Sequence, residues 1–435
     1  MSSNNTAKVW DPSDNPLIFE DKLAWGKYGW TFWLIAISNI NFFLGNIILF
    51  ITFTIALAVF ITKNYKIHTQ FETYVLLFVV VLIGQSFWYM NFALGSIASL
   101  GTRIVTAYLI ISIVGKDFFK AFIDVMYFFA IVSLVMWALI VISPSFYEFM
   151  VNRIAPLFDF YFYSIEMARP APHIILFTFN HGTFINESGI ARLFIRNSGP
   201  FTEPSVYAPY LTIAFSLNYM LTEKTFDKKN LFFIVAMFTS YSTGGFVVLG
   251  LLGAGAILME KGSKKIILLP IAMIVFLYSF VNIAAFGDEI NDKLDDVQNS
   301  DLRYAKRTRL VNAVLDFEEV FDHPIFGKGF YKDKEENANA NLQKYLERRT
   351  NGTTKFLNRY GFLGFFVFFY FIYLSYKSWA LWTGAHYFFS ALAVVGLMLT
   401  GFGNSIFEKP FFFALGFVGF VLKDYMRMVI EEYRE

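Results

Sequence analysis

The chain contains no cysteine. That excludes a disulfide framework and every thiolate metal site. Charge is scarce as well. Only 16% of the 435 residues are Asp, Glu, Lys or Arg, against about a quarter in an ordinary soluble domain. Nor is there a surplus of one sign: the formal net charge is +2, which gives a nucleic-acid partner no support. A cleaved leader is not expected, because the first 29 residues are polar and lack a charged-then-apolar pattern.

What fills the chain is grease. Hydrophobic residues make up 56% and aromatic residues 20%, arranged in long runs. A helix needs about 20 apolar residues to cross a bilayer, since backbone groups cannot go unpaired in lipid. The expected class is therefore an all-α polytopic membrane protein. Clear spans fall at 71–94, 120–142, 205–222, 266–286, 356–376, 385–402 and 409–423, with a shorter one at 102–115. Residues 30–61 and 231–259 run too long for one ordinary span. The first is interrupted by Asn39, Asn41, Gly45 and Asn46, the second by Ser240, Ser242, Thr243, Gly244 and Gly245. If both are helical hairpins, the short loops carrying Lys63/Lys66, Lys116/Lys120, Lys224/Lys228/Lys229, Lys261/Lys264/Lys265 and Lys377 all share one side. The positive-inside rule then gives about twelve spans, both termini cytoplasmic, and two large loops outside. The expected organisation is N-terminal spans to 142, a first outer loop 143–204, central spans 205–286, a second outer loop 287–355, and C-terminal spans with a tail from 356 to 435.

The two large loops hold most of the groups capable of chemistry. The first has Arg153, Arg169, His173, His181, Glu187, Arg192, Arg196 and Glu203. The second opens with the acidic run GDEINDKLDDVQNSD (287–301), followed by the basic LRYAKRTR (302–309). Leu310, Val314, Phe317 and Phe321 then recur at helical spacing, so 302–322 reads as an amphipathic helix on the membrane surface. Pro324, Gly327 and Gly329 stop it.

Four stretches within 190–365 resemble, in order and spacing, the bacterial O-antigen and exopolysaccharide polymerases of the Wzy type. RNSGPFTEPS (196–205) is similar to their Arg-x-x-Gly-x-Phe-x-Glu-Pro signature. The others are YSTGG (241–245), the Arg309-led segment ending in HPIFGKGF (323–330), and TNGTTKFLNRYGFLG (350–364). The related O-antigen ligases carry a His-Asn pair where this chain reads Thr350-Asn351-Gly352, so the ligase's proposed catalytic histidine is missing there. The resemblance implies a GT-C-like enzyme of the bacterial inner membrane. Such an enzyme transfers a glycan from undecaprenyl diphosphate onto the next lipid-linked repeat unit at the periplasmic face. Its expected partners are that lipid-linked oligosaccharide and membrane lipids, and it admits a chain-length regulator. A ligase, and from another class a lipid-linked oligosaccharide flippase, are the alternatives. A flippase should carry charges inside its spans around a central cavity and show internal repeats. Here the charges concentrate in the loops and no repeat is visible.

The chemistry asks for cations at the diphosphate, where charge grows as the glycosidic bond breaks. An arginine fork meets it with bidentate hydrogen bonds. Arg196 and Arg309 are the first candidates; their alternative roles are snorkelling to headgroups and a solvated helix face. Arg192, four residues before Arg196, and the pair Arg303 and Arg307 are further candidates. Glu203 is the candidate for taking the acceptor hydroxyl's proton, or else a structural partner of an arginine, with Pro204 opening the next span. His181 and His323 are rival bases. Gly199, Gly327 and Gly329 are read as turns or close approaches to substrate, and Asn351 as a glycan contact. No Asp-x-Asp pair accompanies the arginines, so neither metal nor cofactor is expected, and direct transfer would invert the anomeric centre.

Overall fold

A computed structural model describes residues 23–89, 93–158, 171–185, 191–259, 309–330 and 352–432, with isolated positions between 266 and 274. The described chain is mostly helical. Three stretches are long and apolar enough to cross a membrane: Thr69–Trp88, Leu94–Ile142 (which turns at Gly115–Asp117) and Gly352–Thr383. Shorter apolar helices lie at Asn46–Thr62, Thr243–Met259 and Phe388–Gly401.

Both overlong apolar regions fold as pairs of helices. Helix α1 (Trp25–Asn39) ends in a 3-10 turn at Asn41–Phe43, and α2 (Asn46–Thr62) runs back. Helices α3 (Thr69–Trp88), α4 (Leu94–Val114), α5 (Phe118–Ile142) and the short α6 (Pro144–Phe149) follow. Then α7 (Pro204–Thr222) precedes the second pair, α8 (Lys228–Thr239) and α9 (Thr243–Met259). Tyr241 takes a left-handed φ of 48° at the bend between them. The last four helices are α10 (Arg309–Val320), α11 (Gly352–Thr383), α12 (Phe388–Gly401) and α13 (Pro410–Glu432).

The two ends of this bundle differ in chemistry. At one end Lys27 pairs with Asp117, and Asp124 accepts from Lys229 Nζ at 2.5 Å and from Tyr28 Oη at 3.0 Å. His68 contacts Asp424 there as well, at 2.8 Å. At the other end the tip of the first helix pair is stitched to the SGPF turn. Ile40 bridges Phe201, the Asn41 amide donates to the Pro200 carbonyl at 3.4 Å, and Asn39 Nδ2 donates to Tyr210 Oη at 2.8 Å. These are called the Lys27 end and the Phe201 end below. Between them the core is aromatic, with Tyr74, Phe119, Tyr207, Tyr210, Tyr376 and Trp379 fully buried. Ile47, Phe50 and Ile55 of α2 and Leu76 and Ile83 of α3 instead point outward, as lipid-facing residues would.

Several expectations need correction. The chain is not all-α: the first large loop carries an antiparallel sheet in the order β1 (His173–Ile174), β2 (Phe177–Ile185), β3 (Ala191–Asn197). The Arg192–Arg196 segment is thus strand, with Arg196 opposite Asn180 and Arg192 opposite Phe184. The short span at 102–115 is the second half of a longer helix, α4, which starts at Leu94 and carries Arg103 in its interior. The span at 356–376 begins earlier, at Gly352, and is broken at Gly361. On α10, Phe317 and Phe321 are exposed while Ala313, Asp316 and Val320 are buried. The buried face of that helix carries Asp316, which accepts from Thr354 Oγ1 at 2.8 Å. The acidic run 287–301, the basic residues 302–308 and most of the span 266–286 lie outside the described residues.

Candidate functional site

The four family-like segments, scattered over 170 positions of sequence, meet at the Phe201 end. β3 delivers the first of them. Asn197 is fully buried; its Nδ2 donates to Ser133 Oγ at 3.2 Å and Thr239 Oγ1 at 2.9 Å, and its Oδ1 accepts from the Gly199 amide at 3.0 Å. Gly199 then turns the chain with φ 53°, and a Cβ there would sit 3.1 Å from the Tyr207 ring. Both the backbone conformation and the close approach require glycine.

Arg196 reaches sideways. Its Nε donates to the Ser240 carbonyl at 3.3 Å and its Nη2 to the Tyr241 carbonyl at 2.9 Å. These carbonyls lie at the C-terminal end of α8, where a cation is favoured. Arg196 therefore ties the first motif to the second and holds the α8–α9 bend.

Glu203 opens α7 in an extended conformation and its carboxylate makes no capping bond to the helix. Oε2 instead accepts from Ser205 Oγ at 3.0 Å and from Asn404 Nδ2 at 3.2 Å. Asn404 lies in the connection 402–409 between α12 and α13, a segment that none of the sequence motifs includes.

The third and fourth segments lock together through backbone. Gly361 breaks α11 with φ 63°, ψ −176°, which frees helix N–H groups that must find partners. The HPIFGKGF turn supplies them: Phe362 N–H donates to the Pro324 carbonyl at 2.7 Å and Leu363 N–H to the Ile325 carbonyl at 3.2 Å. In return Lys328 N–H donates to the Asn358 carbonyl at 2.8 Å, and Gly329 N–H to the Arg359 carbonyl at 2.9 Å. Gly327 and Gly361 face each other so closely that a Cβ on Gly327 would lie 2.4 Å from the Gly361 nitrogen. Gly329 lies against Gln85, whose Nε2 donates to the Phe326 and Arg359 carbonyls. The two loop glycines thus serve contact between protein segments. His323 presents its ring edge-on to Tyr89 at 5.0 Å, and its Nδ1 is buried with no hydrogen-bond partner among the described residues.

This docking builds a charged cavity of about 280 Å³, lined by Ser96, Ser99, Arg103, Phe330, Arg359, Tyr360 and Glu408 among others. Arg359 Nη1 donates to Glu408 Oε1 at 2.5 Å, and Tyr360 Oη donates to the same oxygen at 3.0 Å. Arg103 Nη1 lies 3.4 Å from the Glu408 carbonyl, and the Arg359 guanidinium lies over the Phe330 ring at 5.0 Å. Lys409 follows directly. Burial alone would raise the Glu408 carboxyl pKa, but the Arg359 guanidinium outweighs it and holds the group below its ordinary value. Burial, reinforced by Arg103, brings the Lys409 ammonium down to about 8. A lysine titrating there is suited to proton transfer near neutral pH. On the other side of the same stretch of α11, Thr353, Leu357, Phe362 and Phe365 join Phe317 and Phe321 of α10 around a second, apolar cavity of about 590 Å³.

The residues expected from sequence divide accordingly. Arg196, Gly199, Glu203, Gly327 and Gly329 are brought to the Phe201 end. His181 pairs with Ile195 across the β2–β3 hairpin, and Arg309 begins α10. The side chains of His181, Arg192 and Arg309 are outside the described set, as are Arg303, Arg307 and Asn351 altogether. Sequence reasoning missed Arg103, Arg359, Glu408, Lys409 and Asn404. A signal existed for Arg103: a lone charge within an apolar span marks function by default. For Asn404, Glu408 and Lys409 the connection between two helices was too short to draw notice. Among the described residues no group of acids and histidines is placed to hold a metal ion. No protein-family model matches the chain, and no curated protein matches it.

Proposed function

We propose that the protein is an integral-membrane glycosyltransferase that polymerises a polysaccharide. It would move a glycan from undecaprenyl diphosphate onto the next lipid-linked repeat unit. The observation that carries this reading is that the first, third and fourth family-like segments meet the 402–409 connection, with the second tied to the first through Arg196, beside a cavity lined by two arginines. In this reading Arg103 and Arg359, with Lys409 beside them, meet the departing diphosphate, whose growing negative charge a preorganised cationic site stabilises. Glu203 orients and deprotonates the acceptor hydroxyl, with Lys409 as the rival base. The apolar cavity along α10 and α11 receives the start of the polyprenyl chain. No metal takes part, and the transfer inverts the anomeric centre.

The proposal includes a topology of twelve spans with the Phe201 end periplasmic and both termini cytoplasmic. Lysine placement supports it: Lys116 and Lys229, from the short loops, and Lys27, at the start of α1, all lie at the opposite end, as the positive-inside rule asks. One observation favours a second reading. Arg103 sits inside a span and faces a cavity, which is what a lipid-linked oligosaccharide flippase would need.

The test is a glycan-length profile of cells with and without the gene, stained for carbohydrate on a gel. Collapse of a ladder to single repeat units supports the polymerase. A ladder that persists on the lipid carrier makes the protein a ligase. Accumulation of repeat units on the cytoplasmic leaflet makes it a flippase.

A further inference from the structure

The Lys27 end holds a cavity that the proposed transfer does not use. It measures about 780 Å³, within the range of about 300–1,000 Å³ typical of small-molecule sites. It lies between the start of α1, the α2–α3 connection, the end of α4 and the last turns of α13. Lys27, Lys66, His68, Lys116 and Asp424 line it. Counting His68 as uncharged and including Asp117, which neutralises Lys27, three lysines against two aspartates leave a net +1.

Lys27 is paired with Asp117, whereas Lys66 and Lys116 have no acidic partner among the described residues. Asp424 is engaged by His68 at 2.8 Å. Lys116 lies 3.9 Å from the centroid of the Tyr425 ring and donates to its hydroxyl at 2.8 Å, a neutral partner. The Lys66 ammonium has no hydrogen-bond partner among the described residues. The rest of the wall is apolar, from Ile67, Ile113, Val114, Val421 and Met428. Ile67 and Met428 are both 58% exposed, so the apolar wall continues onto the outer surface.

A soluble phosphate gains nothing from such a wall, whereas a phospholipid needs it for the first carbons of its acyl chains. Lysine ammonium groups near the headgroup plane attract anionic lipid. We propose that this cavity is a binding site for the phosphodiester headgroup of an anionic phospholipid, with Lys66 and Lys116 contacting the phosphate. The site lies at the opposite end of the bundle from the candidate catalytic groups, so it stands or falls independently of the proposed transfer.

The test uses full-length protein purified in a neutral detergent. Its melting temperature is followed while dioleoyl phosphatidylglycerol or dioleoyl phosphatidylcholine is added. The anionic lipid is expected to raise it saturably and the zwitterionic lipid to leave it unchanged. Lys66→Gln combined with Lys116→Gln should weaken the apparent affinity by about fivefold for each lysine removed. Lys224→Gln combined with Lys228→Gln, in a neighbouring connection, should leave it within about twofold, since neither residue lines the cavity and surface attraction falls off over a Debye length. Glycerol 3-phosphate, which lacks acyl chains, should produce no shift; if it reproduces the effect, the site takes a soluble phosphate and the lipid assignment is wrong. If the double variant melts abnormally without lipid, Ile113→Trp replaces it. That change narrows the cavity without altering charge and should weaken the shift. Equal stabilisation of the cavity variants and the wild type overturns the proposal.

Discussion

Arg359 and Glu408 meet Nη1 to Oε1 at 2.5 Å, joining the broken helix α11 to the connection between α12 and α13. Each side chain keeps about a quarter of its surface exposed, 24% and 25%. Removing one partner of a fully buried pair costs about 3–5 kcal/mol, and solvent screening reduces that here to about 1–2 kcal/mol. Glu408→Gln and Arg359→Met should each lower the melting temperature. The double variant Arg359→Met/Glu408→Met should lose less than the two single losses added together, because no charge is left unpaired. A double-mutant cycle on protein in detergent measures this. Strict additivity would show that the pair carries no coupling.

Lys409 gives a pH dependence whose sign is fixed. Its folded-state pKa is about 8 against an ordinary 10.5, so between those values the unfolded chain binds more protons than the folded one. Stability then rises as pH rises through 8 toward 10.5, and the penalty is fully present below 8. Melting temperatures from pH 7 to 9.5 should climb more steeply in the wild type than in Lys409→Met. Parallel curves would count against a depressed lysine.

Glu203→Gln separates catalysis from architecture. Glutamine keeps an oxygen to accept from Ser205 and Asn404 but cannot take a proton. If Glu203 is the base, chain extension should fall by about 10²–10⁴-fold while the purified protein melts as the wild type does. A normal glycan ladder from Glu203→Gln would pass the role of base to Lys409.

Arg196 has a visible structural task, so its replacement should show first in the backbone. Loss of two charge-assisted bonds, each contributing about 1.5–3 kcal/mol, should loosen the α8–α9 bend in Arg196→Ala. Faster amide exchange across 239–243 is the expected readout. If exchange is unchanged while polymerisation stops, the guanidinium acts on substrate instead.

Gly361→Ala should prevent assembly of the Phe201 end. A Cβ there would lie 2.3 Å from the Ile325 carbonyl oxygen, and the residue's φ is 63°. Detergent extracts analysed by size-exclusion chromatography should show aggregated or absent protein. Gly26→Ala, where nothing lies within 4 Å of the new Cβ, should behave as the wild type.

Much of the helical frame was readable from hydropathy and lysine placement alone. Both helix pairs, 30–61 and 231–259, follow from runs that are too long for one span and are interrupted by small or amide residues. The sheet was not read, because β2 carries polar Thr178, Asn180, His181 and Thr183 among its apolar residues within what reads as an outer loop. The break at Gly361 hid within a stretch that reads as one span, since the groups that compensate it come from a loop nearly forty residues earlier. The candidate site was half legible. Glu203 and Arg196 stood out within one short stretch, but Asn404, which bonds Glu203, and Glu408, which pairs with Arg359, come from a connection whose importance lies only in where it returns.

That connection also sets a timetable. Residues 402–409 follow every described helix except α13, so during synthesis they emerge after all four family-like segments. Until they arrive, Glu203 lacks Asn404 and Arg359 lacks its counter-ion. A nascent chain would therefore carry all four motif segments through insertion without a finished site. In the proposed reading, a chain cut short before residue 402 would lack Asn404, Glu408 and Lys409 and would be inert.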